Sequence, residues 1–85
     1  MKKLIIGNWK MNPACLGEVK GLLSFLEKIK ANKDVSVVIC PPFIYLPPIK
    51  TKFALGAQDA FEKPNGPFTG EVSAKMLYSI GARYV

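Results

Sequence analysis

Asn8 and Lys10 stand two positions apart in the hexapeptide Gly7-Asn8-Trp9-Lys10-Met11-Asn12, directly after the apolar run Leu4-Ile5-Ile6. A side-chain amide beside an ammonium point charge suits an anionic, oxygen-rich small molecule. Strand alternation puts Leu4, Ile6 and Asn8 on one face and Ile5, Gly7 and Trp9 on the other. Lys10 projects the same way as Asn8 if the extended conformation persists. Trp9, between them, reads as a packing residue. The spacing alone also fits a turn asparagine followed by a solvated lysine, so the pair becomes informative only through the elements that hold it.

Those elements alternate. Lys3 to Gly7 reads as a first strand, apolar on both parities and so suited to a parallel sheet covered on both faces. Asn12-Pro13-Ala14 turns the chain. Leu16, Val19, Leu22, Leu23, Leu26 and Ile29 then form an apolar stripe that predicts a helix from about Leu16 to Ala31. Asn32-Lys33-Asp34 is a polar exit. Val35 to Cys40 is the clearest strand, β-branched with one serine, and Pro41-Pro42 ends it because proline has no ladder donor. Leu46-Pro47-Pro48-Ile49-Lys50 can open a short second helix, since proline is tolerated in a first turn. Phe53 to Gln58 reads as a third strand.

A long connection, Asp59 to Val72, follows with Pro64, Asn65, Gly66, Pro67 and Gly70. Loops of this length in compact domains are commonly functional or protruding. A third helix runs from about Ser73 to Ser79 with Gly81 as its stop, and Tyr84-Val85 opens a fourth strand. Strand and helix in this alternation predict an α/β fold with a parallel sheet. In such folds ligands sit at the carboxyl ends of the strands, which is where Asn8 and Lys10 fall.

Composition narrows the classes. The 85 residues carry a net charge of +6 and no histidine. The lysines are spread over the helical region (Lys20, Lys28, Lys30, Lys33) and further along (Lys50, Lys52, Lys63). With no arginine cluster and no aromatic platform between them, nucleic-acid binding is not expected. No apolar run approaches the ~18 residues of a membrane span, and Asn8 and Lys10 cut the apolar start too short for a signal peptide. Cys15 and Cys40 have no metal spacing and read as free thiols of a cytoplasmic protein.

Four segments resemble the triose-phosphate isomerase family in the expected order. They are Gly7-Asn8-Trp9-Lys10-Met11-Asn12, Cys40-Pro41-Pro42-Phe43-Ile44-Tyr45-Leu46, Gly56-Ala57-Gln58-Asp59-Ala60 and Gly66-Pro67-Phe68-Thr69-Gly70-Glu71-Val72-Ser73. The resemblance covers essentially the whole chain. It implies a partial (β/α)8 barrel, three βα units plus the start of strand four, with residues 1–85 as the N-terminal portion of a domain that typically needs about 250 residues. It implies the interconversion of dihydroxyacetone phosphate and glyceraldehyde 3-phosphate in glycolysis and gluconeogenesis, without cofactor or metal.

By that resemblance Lys10 attracts the substrate phosphate and stabilises negative charge on the enediolate oxygens, and Asn8 donates to a substrate oxygen. The family's chemistry also uses a glutamate base, a neutral histidine electrophile and a closing lid. All of these, and the phosphate loops, belong to positions beyond Val85, so the 85-residue chain alone is expected to be inactive. No acid present has a visible reason to replace the base. The long loop would dock into a second subunit of a homodimer, Thr69 reaching the partner's active-site corner and Glu71 pairing with an arginine beyond Val85. Phe43, Tyr45 and Phe68 would add apolar contact. The alternative is a non-catalytic piece acting only by association with a complementary barrel fragment or partner subunit. An open sheet with unpaired edges predicts marginal stability or self-association.

Overall fold

A computed structural model describes residues 2–30 and 32–85. The apolar runs lie side by side as β1 (Lys3–Asn8), β2 (Val35–Cys40) and β3 (Ala54–Leu55), a parallel sheet in the order β1-β2-β3. Lys3 faces Val35 at one end of the first pair and Asn8 faces Cys40 at the other, so the two runs stay in step throughout. Helix α1 (Leu16–Leu26) joins β1 to β2, and helix α2 (Ala74–Ser79) follows β3. The expected α/β alternation is therefore present. No helix among the described residues is long and apolar enough to cross a membrane.

Local chemistry sets the element ends. Ser73 precedes α2 rather than starting it: its Oγ accepts the Met76 N–H at 3.1 Å, satisfying one of the free donors of the first turn. At the other end Gly81 adopts φ +107°. Its N–H donates to the Tyr78 carbonyl and that of Ala82 to the Leu77 carbonyl, each at 3.1 Å, the paired closure that a glycine in this position permits.

β1 runs one residue past the expected Gly7, to Asn8, and three further boundaries differ more from the sequence expectation. α1 ends at Leu26, short of Ala31, which lies outside the described residues. Its last carbonyls are closed by the chain just past it, Glu27 N–H to Leu23, Lys28 N–H to Phe25 and Ile29 N–H to Leu26, and a distant segment holds that exit. The Lys52 ammonium donates to the carbonyl of Glu27 at 3.1 Å and to that of Ile29, while Thr51 Oγ1 donates to Glu27 Oε1 at 2.6 Å. The second helix, expected to open at Leu46, is instead a 3₁₀ turn, Phe43–Tyr45. Pro47 and Pro48 have no N–H to continue a helix begun at Phe43, and the chain closes short turns instead, Leu46 N–H to Phe43 carbonyl at 3.1 Å and Ile49 N–H to Leu46 carbonyl at 3.2 Å. β3 pairs over Ala54–Leu55 rather than Phe53 to Gln58. Pro41, lacking an N–H, ends the β2 side of that ladder.

The fourth strand is present as its first contact. Gly56 bridges Tyr84 in parallel, with Ala57 N–H donating to the Tyr84 carbonyl and Arg83 N–H to the Leu55 carbonyl, each at 2.9 Å. The junction is tight enough that any side chain at Gly56 would force its neighbours to shift. A Cβ on Gly56 would lie 2.7 Å from Cys40 Sγ.

Burial is concentrated toward the carboxyl ends of the strands. Leu46, Ala57, Leu77 and Ala82 form one buried cluster, and Val19, Tyr45 and Ile49 form another that takes in Trp9, Leu23 and Leu55. The other end is open. A cleft of about 530 Å³ is lined by Val35, Val37, Phe53, Ala54 and Tyr84 among others. Leu4, Ile5 and Ile6 of the edge strand β1 are each about half exposed, on both faces.

Candidate functional site

The chain does not stay extended through Lys10. β1 ends at Asn8, and Lys10 takes φ +57°, the left-handed region that a side chain with a Cβ rarely occupies. Such a residue carries about 1–2 kcal/mol of steric cost. Two side-chain bonds act on its backbone. The Asn8 Oδ1 accepts the Lys10 N–H at 2.8 Å, and Gln58 Nε2 donates to the Lys10 carbonyl at 2.7 Å. At about 0.5–1.5 kcal/mol net for each hydrogen bond, the pair offsets the cost and neither alone leaves much margin.

The Asn8 bond also fixes which end of its amide is which. A donating N–H requires the oxygen, so the NH2 group is left facing away from that bond and able to donate elsewhere. Asn8 and Lys10 are both solvent-exposed at the carboxyl rim of the sheet. Trp9 is half-buried; its N–H donates to the Cys40 carbonyl at 3.0 Å, extending the β1–β2 ladder by one bond. Asn12 Nδ2 closes the turn onto the Trp9 carbonyl at 3.3 Å.

The sequence alone assigns Gln58 no role, yet it reaches loop one from 48 positions away. It donates to the Cys40 carbonyl as well, at 2.9 Å. The available signal was positional: an amide at the carboxyl end of the third apolar run, at the same rim as Asn8. Cys40 itself is buried, and burial raises its thiol pKa, keeping it protonated and unreactive beneath this rim.

A family model described as triosephosphate isomerase matches residues 3–85. The chain belongs to the triosephosphate isomerase family. The triosephosphate isomerase of Ehrlichia chaffeensis is 45% identical over the whole of this chain, which covers 37% of that relative. That of Wigglesworthia glossinidia brevipalpis is 43% identical, again over the whole chain and 35% of the relative. That of Cytophaga hutchinsonii is 44% identical over 99% of the chain and 36% of the relative. The chain thus spans little more than a third of the length of these triosephosphate isomerases. Three parallel strands in one open sheet with helices are consistent with part of a triosephosphate isomerase barrel.

The residues expected at a triosephosphate isomerase subunit contact fall in two places. Phe43 is 45% exposed at the start of the 3₁₀ turn. Tyr45, two residues on, is only 8% exposed; it packs with Val19 and Ile49, and its hydroxyl donates to the Pro13 carbonyl at 2.9 Å. Most of its surface is therefore covered within the chain. Phe68, Thr69 and Glu71 lie exposed on the long loop of residues 59–72. That loop is closed on itself. Phe61 N–H donates to the Val72 carbonyl at 2.8 Å, Glu71 N–H to the Phe68 carbonyl at 3.1 Å, and the rings of Phe61 and Phe68 meet with centroids 4.8 Å apart.

Proposed function

We propose that residues 1–85 are the N-terminal portion of a triosephosphate isomerase barrel and supply one corner of its active site. In this reading the Lys10 ammonium attracts the triose phosphate and stabilises the negative charge that develops on the enediolate oxygens. A compact ammonium serves there better than a guanidinium, whose charge is spread over a wider fork. Asn8 donates from its NH2 to a substrate oxygen. The observation that supports the reading best is the double use of Asn8: its oxygen holds the Lys10 N–H at 2.8 Å, which leaves its donor end available beside the lysine. The base, the histidine electrophile and the phosphate loops come from the rest of the barrel. The whole enzyme is a cytoplasmic homodimer of glycolysis and gluconeogenesis, with Phe43, Phe68, Thr69 and Glu71 at its subunit contact and Tyr45 supporting it from beneath.

The experiment is complementation. The 85-residue chain alone should give no isomerase turnover above background. Mixed with the missing C-terminal portion of a relative such as that of Ehrlichia chaffeensis, it should recover turnover, and Lys10→Ala should remove most of what is recovered. Recovered turnover indifferent to Lys10→Ala would sink the reading. A second reading, association without catalysis, draws on the half-exposed Leu4, Ile5 and Ile6 of the edge strand. It gains ground if the two portions bind without turnover.

A further inference from the structure

We infer that Gln58 is a positioning residue for Lys10, its amide locking the left-handed turn from which the lysine side chain departs. The inference rests on the proposed role of Lys10 but has its own geometry. A glutamine NH2 group has two donors. Both are committed here, to the Lys10 carbonyl at 2.7 Å and to the Cys40 carbonyl at 2.9 Å. The Cys40 carbonyl also accepts the Trp9 N–H at 3.0 Å, using its two lone pairs on loop one and on Gln58.

One side chain from beyond β3 therefore ties the end of β2 to the residue that departs from the sheet. The Asn8 bond is local and shapes the turn from within. The Gln58 bond anchors that turn to the sheet. Glutamine is specified by the chemistry: an ionised glutamate offers no donor to two carbonyl oxygens, and methionine matches the length of the side chain without either donor.

The test is solution NMR on the 85-residue chain, with inorganic phosphate as the probe. A positive φ brings a residue's own amide and α hydrogens close, so Lys10 should give a strong intraresidue amide–α cross-peak. In Gln58→Met that cross-peak should be lost while the amides of Ile6 and Ile39, inside the β1–β2 ladder, keep their hydrogen-exchange protection. The phosphate-induced shift of the Lys10 amide should fall in the same variant. An unchanged cross-peak in Gln58→Met overturns the inference.

If Gln58→Met melts the ladder too, Gln58→Glu decides. A protonated carboxyl donates and an ionised one does not, so the cross-peak should be present at acidic pH and lost near neutrality with the ladder protected at both. Loss of the ladder in both variants would make Gln58 a general structural residue and overturn the inference. Lys10→Ala separates this from the reading beneath it. Phosphate-induced shifts at Asn8 and Trp9 that survive Lys10→Ala, or no phosphate response in the unaltered chain, would count against Lys10 as the anion's partner. The cross-peak would still decide the role of Gln58.

Discussion

Replacing Gly56 by alanine adds one methyl group at the point where β2, β3 and the start of the fourth strand meet. The new Cβ would lie 2.7 Å from Cys40 Sγ, 3.1 Å from Val38 Cγ1 and 3.2 Å from Tyr84 Cβ. Ordinary contacts between carbons are about 3.5–4.0 Å, so something must move by up to about 1 Å on the sulfur side. Val38 is fully buried and Cys40 is 6% exposed, which leaves neither a way out to solvent. Overpacking of this kind typically costs about 1–3 kcal/mol. Alanine returns roughly 0.4–1 kcal/mol by restricting the unfolded chain. The clash wins, for a net loss of about 1–2 kcal/mol. A small domain has a stability of only about 0.05–0.15 kcal/mol per residue, so the loss is a large share of the total.

Tyr84, 42% exposed, is the one of the three neighbours with room to move, and the strain should be relieved there. Urea unfolding followed by far-ultraviolet circular dichroism would read the total. Hydrogen exchange would read its location, with the Ala57 and Arg83 amides losing protection, since they donate to the Tyr84 and Leu55 carbonyls across this junction. Cys40→Ala removes the nearest atom, so the double variant should be more stable than the two single losses add up to. A Gly56→Ala chain as stable as the parent, with both amides unchanged, would refute the reasoning.

Ser73→Ala should cost about 1 kcal/mol by removing the acceptor of the Met76 N–H at the start of α2; Ser73→Asp keeps an acceptor but puts a carboxylate where Ser73 is only 3% exposed, so it should not restore the stability, and urea midpoints of the three proteins check this. Glu27 has a lowered pKa, chiefly because Thr51 donates to its carboxylate, with Lys52 assisting. Thr51→Val should therefore raise it back toward the ordinary carboxylate value, as followed by carbon NMR through an acid titration. Because the folded pKa is the lower one, this interaction favours the fold above the unfolded carboxylate's pKa. It is lost as pH falls through the folded value, and Thr51→Val should flatten that part of the stability profile.

The sheet was legible because its information is local. Val35 to Cys40 carries the β-branched run and its proline stop within eight consecutive residues, and the strand begins and ends where the run does. The helix that was expected to reach Ala31 failed for the opposite reason. Past its end at Leu26 the chain is held through Glu27 by a threonine and a lysine 24 and 25 positions further on, which nothing in the stripe from Leu16 to Ile29 announces. The prolines at 47 and 48 were visible, but their effect depends on where the helix begins. Two missing donors are harmless in a first turn and fatal in a second.

Loop one divides in the same way. Asn8 and Lys10 could be singled out from their types and their place after a strand, because the Asn8 bond spans two residues. The conformation they create could not, since an asparagine–tryptophan–lysine sequence has no glycine to mark a positive φ at Lys10. That conformation is completed by Gln58 across the sheet. The residue with the plainest chemistry is thus placed by one whose own chemistry is unremarked in sequence. A loop-one lysine followed by a strand-three end without an amide donor should hold the same charge at the same rim, in a less defined position.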